Sequence, residues 1–258
     1  MTFTYLGVAS WQIDVGSASI VTDPYFTRPD LAKPIASDPA AIAAHAPKHV
    51  DVIVVGHSHV DHLLDAPPLA IATHAQLIGS ETTARYAKAA GVPDDQLISI
   101  RGGEDYDFGA FSIRVIPSLH SALDHKHARP HDMTKTELPL DCADFAEGGT
   151  FAYLIRIGGH QILVLDTANF IERELEGIHP DIAIIAPGLR SEIYDYTCRL
   201  MRVLGEPPLV YATHFDDWLH APADTVDDDT KAFAAEVKQC SPHTTVVIPQ
   251  HFSPMSVP

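Results

Sequence analysis

Short apolar runs set the rhythm of this chain. Val52-Ile53-Val54-Val55, Ile162-Leu163-Val164-Leu165, Ile182-Ala183-Ile184-Ile185 and Leu209-Val210-Tyr211-Ala212 are continuous in apolar residues, with Asp, Gly, Pro or His within two residues of each end. Runs of this length, rich in β-branched residues and closed by turn residues, read as strands buried on both faces. The same pattern predicts strands at 2–8, 11–15, 19–22, 52–55, 76–79, 97–100, 106–108, 111–117, 150–157, 161–165, 181–185, 208–213 and 244–248. Helix signals lie between them. Asp38 and Pro39 form an N-cap and first turn, and Asp65 with Pro67 opens a second short helix. Ser80 starts a helix that stops at Gly91, a further short helix ends at Gly177, and Ser191 is expected to cap one that ends at Gly205. Asp227, Asp228 and Asp229 precede a last helix through Cys240, where three acids meet the N-terminal end of the helix dipole.

Residues 121–149 break the rhythm. They carry His125, His127, His131, Asp124, Asp132, Asp141 and Asp144 with little periodicity. An irregular segment this long is usually functional or mobile. Coming directly after His120, it is expected to hang over the site described next, either as a lid or as a solvated loop with incidental histidines.

The densest chemistry follows the 52–55 strand: Gly56-His57-Ser58-His59-Val60-Asp61-His62. Packing explains a lone histidine near a core, but not four potential ligands within six residues. His57 and His59 are two apart, so in extended chain they point to one side. Asp61 and His62 come as the chain turns away and can aim at a neighbouring point. Imidazole and carboxylate together suit a divalent cation, and a pair of such points suits two.

The motif His-x-His-x-Asp-His after a hydrophobic strand resembles the signature of the metallo-β-lactamase-fold superfamily. The rest of that family's pattern occurs in order, each residue closing an apolar run: His120 after 111–117, Asp166 after 161–165, and His214 after 208–213. His251 also closes a strand, but His214 fits the family's last ligand better, leaving His251 as a substrate or supporting contact. Tyr5-Leu6-Gly7, Ser10 and Asp23-Pro24 resemble the opening of one branch. That branch contains the ascorbate-6-phosphate lactonase-like proteins and, more distantly, phospholipase D-type enzymes acting on N-acyl ethanolamine phospholipids.

The resemblance implies an α/β fold: a four-layer αββα sandwich of two mixed β-sheets flanked by helices, with residues 1–258 as one domain. It implies two divalent metal ions, zinc by preference for imidazole, with manganese or iron as alternatives. His57, His59 and His120 would hold one ion, Asp61, His62 and His214 the other, and Asp166 would bridge. A hydroxide between them would attack an ester or lactone carbonyl, with Asp61 orienting it. A phosphodiesterase with the same ions and a non-catalytic metal-binding scaffold are the alternatives. Superfamily members that use di-iron for redox work carry a carboxylate where His59 stands, so hydrolysis is favoured. Tyr25, Phe26, His125, Asn169 and His251 are the expected contacts to a small-molecule substrate.

Composition narrows the partners. The chain has 258 residues, 46% of them hydrophobic, and a net charge of −17. Such an acidic chain argues against nucleic acid, whose phosphates attract Lys and Arg. Arg101, Arg129 and Arg190 are the candidates to read a phosphate, and they form no cluster. No apolar run approaches a membrane span, and no basic-then-apolar leader opens the sequence, so a soluble cytoplasmic protein is expected. Three cysteines fit a reducing compartment. Cys198 shares a helical face with Tyr194 and Met201, and Cys240 with Phe233 and Val237, so both are expected in the core.

Overall fold

A computed structural model of the chain describes residues 1–123, 135, 137–221 and 226–257. Two seven-stranded sheets face each other. The first is built from β1 (Thr2–Gly7), β2 (Ser10–Val15), β3 (Ala18–Thr22), β4 (Val52–Val54), β5 (Gln76–Gly79) and β6 (Leu97–Ser99) in chain order. The second runs in order from β7 (Asp105–Asp107) through β8 (Phe111–Pro117), β9 (Phe151–Ile157), β10 (His160–Leu165), β11 (Ile182–Ile185) and β12 (Leu209–Ala212) to β13 (Thr245–Val247). Each begins with antiparallel hairpins and continues in parallel strands, β3 to β6 and β10 to β13. Both sheets are therefore mixed. A short terminal strand, β14 (Pro254–Ser256), returns to pair with β1 at the far edge of the first sheet. The apolar pattern does not announce β14, because its proline suits only an edge position.

Alternation within the apolar runs builds the layers. Val52 and Val54 join Ile162, Val164, Ile182 and Ile184 in the core between the sheets, around Trp11, Tyr153 and Tyr211. Ile53 and Val55 point the other way, against Leu63, Leu69 and Tyr86. These belong to α2 (Val60–Leu63), α3 (Ala66–Thr73) and α4 (Glu81–Ala89). Leu163, Leu165 and Ile185 pack on Leu200, Met201, Phe233 and Val237, which lie on α6 (Tyr196–Val203) and α7 (Asp228–Cys240). The four-layer αββα sandwich follows. Two outer helices complete the set, α1 (Pro39–His45), capped by Asp38, and α5 (Glu172–Leu175).

Two expectations change. Ser191 does not cap a helix. Residues Arg190–Glu192 form a single 3-10 turn, and left-handed Asp195 separates it from α6. Of the described part of 121–149, Leu123 and Leu138 are exposed, whereas other residues turn inward. Leu140, Phe145 and Ala146 are buried in the core beneath the first sheet, and Ile35 N donates to Leu140 O. Cys198 and Cys240 are joined in a disulfide between α6 and α7. They are half-buried rather than in the core, Tyr194 is exposed and lies outside α6, and a separation of 42 residues gives no sign of pairing. Among the described residues no helix is long and apolar enough to cross a membrane.

The pairing has a direct test. Unreduced protein, titrated with a thiol reagent in denaturant, should show one thiol per chain, that of Cys142; three would refute the Cys198–Cys240 bond.

Candidate metal centre

Every candidate ligand leaves a strand at the same rim, where the parallel strands of both sheets end. Such ends collect ligands in open α/β sheets, because loops there converge. His57 to His62 follow β4, with His59 at the N-cap position of α2. His120 follows β8, Asp166 follows β10 and His214 follows β12. Short helix α2 turns Asp61 and His62 back toward the centre, which the extended-chain reading of the motif left open.

The side chains converge in three overlapping groups: His57, His59 and His120; His57, His62 and Asp166; and Asp61, His62 and His214. Within each group one donor atom per residue lies within 4.8 Å of the others. His57 Nδ1 is 2.9 Å and His62 Nδ1 3.2 Å from Asp166 Oδ2. His214 Nε2 is 3.2 Å from Asp61 Oδ2, which is 3.6 Å from His62 Nε2.

Gly56 makes this approach possible. A Cβ there would lie 2.2 Å from Asp166 Oδ2. With only a hydrogen at that position, the carboxylate of the second sheet can enter against the backbone of the first. Phe151 N donates to Gly56 O at 2.8 Å and Tyr153 Oη to Val55 O at 2.7 Å, so the sheets are stitched beside it.

The electrostatics call for positive charge. Burial favours the neutral form of Asp166, yet His57 and His62 hold its carboxyl well below the usual range. Asp61 is likewise pulled down against burial by His62 and His214. His62 is pushed well above the imidazole range despite burial, because Asp61, Asp166 and Asp23 surround it. Burial and His62 hold His57 neutral, and burial does the same for His120. His62 thus sits among three carboxylates, those of Asp61, Asp166 and Asp23. Asp166 Oδ1 is buried with no hydrogen-bond partner among the described residues. An unsatisfied buried carboxylate oxygen is costly. A nitrogen-rich donor set around it fits divalent cations, zinc among them.

Two residues here escaped sequence reasoning. Asp23, after β3, is fully buried, accepts from Gly56 N at 2.8 Å and lies 3.4 Å from His62 Nδ1. Burial and Asp166 push its carboxyl up to about 6. Its signal was its place: it closes a strand at the same rim as the ligands. Asp216 stands two residues past His214. It accepts from Tyr5 Oη at 2.5 Å, Val8 N at 2.9 Å and His251 Nε2 at 2.9 Å.

The expected substrate contacts fare differently. A cavity of about 350 Å³ opens over the cluster. Tyr25 and Phe26 are buried and do not line it; the Tyr25 hydroxyl donates to Trp218 O behind the wall. Asn169 also lies outside the lining, donating to His120 O and accepting from Phe170 N. His251 is held on Asp216 and packs on Tyr5, so it reaches the cavity only through Asp216. His125 lies outside the described residues, as do His127, His131, Asp124, Asp132 and Arg129.

Known proteins share this architecture. The model of the β-lactamase superfamily domain matches residues 2–188. A UPF0173 metal-dependent hydrolase of Methanopyrus kandleri is 25% identical over 255 residues, which cover 96% of each chain. Igni18, a metallo hydrolase of Ignicoccus hospitalis, superposes with a TM-score of 0.67 at 18% identity over 98% of this chain and 97% of its own. YhfI of Bacillus subtilis, a metallo-β-lactamase fold protein, gives 0.61 at 14% identity over 99% of each. His214 lies beyond the family match, so its place in the cluster rests on geometry.

Two consequences are measurable. Gly56→Ala must displace Asp166 or the β4 backbone, and should lower stability by about 1–3 kcal/mol in urea unfolding; a change within error would refute the close approach. His251 and Tyr5 outweigh burial to hold the Asp216 carboxyl below its ordinary value. Its stabilisation is therefore full above the unfolded-state pKa of about 4 and fades as pH falls through the lower folded value. Asp216→Asn should cost about 1.5–3 kcal/mol at pH 7, and that deficit should shrink below about pH 4. A deficit independent of pH would mean that its charge is not what stabilises.

Proposed function

The chain belongs to the β-lactamase superfamily domain family, a metal-dependent hydrolase like the relative it aligns with end to end, and we propose that it cleaves an ester or lactone at a site for two divalent cations. The carrying observation is the overlap of the three donor groups. His57, His59 and His120 form one trio, Asp61, His62 and His214 another, and Asp166 reaches His57 and His62 between them. A single ion would need one such trio; two trios, each with a histidine grouped with Asp166, support a pair with Asp166 as the bridge. When bound, such a pair lowers the pKa of water toward about 7 and polarises a substrate oxygen.

The remaining work falls to the chain. Asp61 is the more accessible of the ionised carboxylates at the centre, with 14% of its side chain exposed against 2% for Asp166. It is placed to accept a hydrogen bond from the attacking water and so aim its lone pair. Asp23 holds His62 and the Gly56 amide from behind, the usual role of a carboxylate beyond the ligands. Ser58 N donates to Glu147 O, and the Ser58 hydroxyl meets those of Ser80 and Thr83 at 2.9 and 2.8 Å, fixing the loop between His57 and His59.

The cavity favours a carbonyl over a phosphodiester. Asp216, Asp227 and Asp229 stand on its wall, and each would repel a phosphate. The Arg190 guanidinium points away, to Asp229 and Glu236. The lactonase-like branch suggested by the opening segment agrees in the bond it breaks, but the phosphate in that branch's name would meet these acids.

Protein purified without added metal should carry close to two ions per chain by elemental analysis, and Asp166→Ala should lose at least one. Full occupancy in that variant would remove the bridge. A panel of lactones and bis-p-nitrophenyl phosphate should show turnover of a lactone that a chelator abolishes. Turnover indifferent to chelator would end the metal-assisted reading, and turnover of the phosphodiester alone would reverse the choice of substrate.

A further inference from the structure

The turn after β11 holds an apolar side chain in a conformation it does not favour. Leu189 has φ 66° and ψ 13°. In this left-handed region the Cβ crowds the following carbonyl, so glycine and asparagine are the usual occupants. The side chain is also 43% exposed, on the wall of the metal-centre cavity. Neither backbone preference nor burial accounts for leucine here. Strain of this kind persists where the surroundings over-determine it, and it gathers at functional sites.

The surroundings are specific. The next residue, Arg190, is buried, and its guanidinium is fixed from three directions. Nε and Nη2 donate to Glu236 Oε2 and Oε1, each at 2.9 Å, and Nη1 donates to Asp229 Oδ2 at 2.7 Å. Thr197 Oγ1 donates to Glu236 Oε2 at 2.7 Å. This bidentate pairing with Glu236 of α7, itself braced by Thr197 of α6, holds the turn so that Leu189 stays on the cavity. Leu123, three residues past His120, is 42% exposed on the same wall, and Phe215 and Trp218 follow His214 onto it. Three rim segments that deliver ligands or end beside them therefore also deliver apolar side chains.

We propose that Leu189 is a specificity-determining residue that, with Leu123, Phe215 and Trp218, receives the uncharged aliphatic chain of the scissile ester or lactone. The proposal rests on the hydrolase reading and names its substrate class. The polar carbonyl sits at the metal cluster while the chain lies along the leucine wall. A cavity of about 350 Å³ is at the small end of the usual range for ligand sites, which suits a chain of medium length. A charged anionic tail would meet Asp216, Asp227 and Asp229.

The test uses straight-chain hydroxamates from acetyl to octanoyl, binding to metal-loaded protein by calorimetry, so that no turnover is needed. Affinity should rise about three- to fourfold per methylene until the cavity is full. Leu189→Asn keeps a residue that tolerates the left-handed backbone, and should flatten the rise to less than twofold per methylene. Leu189→Gly should do the same. The readout is the ratio of octanoyl to acetyl affinity, which a partly unfolded fraction would leave unchanged. No chain-length dependence in the unsubstituted protein would overturn the inference while leaving the hydrolase reading intact. A ratio unchanged in both variants would remove Leu189 from the wall. Protein that takes up no metal would defeat the hydrolase reading, and this inference with it.

Discussion

The structure depends on one close approach: the Asp166 carboxylate, carried by the second sheet, lies against Gly56 and between His57 and His62 of the first. Burying a carboxylate is expensive, and the expense is offset only by ideal partners. Here the partners are imidazoles that themselves face Asp61 and Asp23. Protein groups alone leave the centre short of cations, as Asp166 Oδ1 and the crowding of carboxylates around His62 show. The site is thus built to be completed from outside the chain, and the fold tolerates that debt because the two sheets are tied together beside it.

Those ties concentrate at the rim and carry strain. Val8, Asp23, Leu189 and His214 all have positive φ without being glycine; Leu189 and His214 line the cavity, Asp23 faces His62, and Val8 holds the His214 backbone. Val8 shows how the strain is held. Its carbonyl accepts from His214 N at 2.5 Å and from Thr213 Oγ1 at 3.0 Å, while its amide donates to Asp216. Trp11 Nε1 donates to Thr213 Oγ1 at 2.9 Å from within the inter-sheet core. The segment 213–216 is therefore docked on the β1–β2 turn, and His214 is aimed by contacts with the opposite sheet. Tyr5 and His251 close the arrangement through Asp216. His251 comes from the stretch that leads into β14, so the last described strand helps to place His214, the candidate ligand offered by β12.

Much of this was legible in the sequence because it rests on local signals. Val52-Ile53-Val54-Val55 and Ile182-Ala183-Ile184-Ile185 are apolar on both faces, and only a strand between two layers uses both. The residues after each run fall at one rim because the parallel strands of both sheets end there. Asp23 obeys the same rule after β3, but a single carboxylate beside a proline reads equally well as a turn. What the sequence hides is pairing at a distance. Nothing local says that Cys198 meets Cys240, that Asp216 would gather Tyr5 and His251, or that Tyr25 and Phe26 would lie behind the wall. Ser191 misled for the same reason. Its capping chemistry is sound, but the Arg190 clamp to Glu236 and Asp229 fixes the turn before a helix can begin there.

The division of the candidate ligands between the sheets gives the inter-sheet core a chemical role. His57, His59, Asp61 and His62 leave the first sheet; His120, Asp166 and His214 leave the second. Facing sheets pack about 10 Å apart, a distance set by the side chains between them. Trp11, Tyr5, Tyr153 and Tyr211 are the largest of those near this rim, and Trp11 and Tyr211 touch, with ring centroids 5.2 Å apart. The donor groups hold together within 4.8 Å only if that thickness is right. Closely packed interiors transmit strain rather than absorb it, so a change in the volume of these aromatics would be felt as a change in ligand separation. Core packing and metal-centre geometry are in this sense one constraint, and the aromatic residues between the sheets belong to the site although none of them touches a ligand's donor atoms.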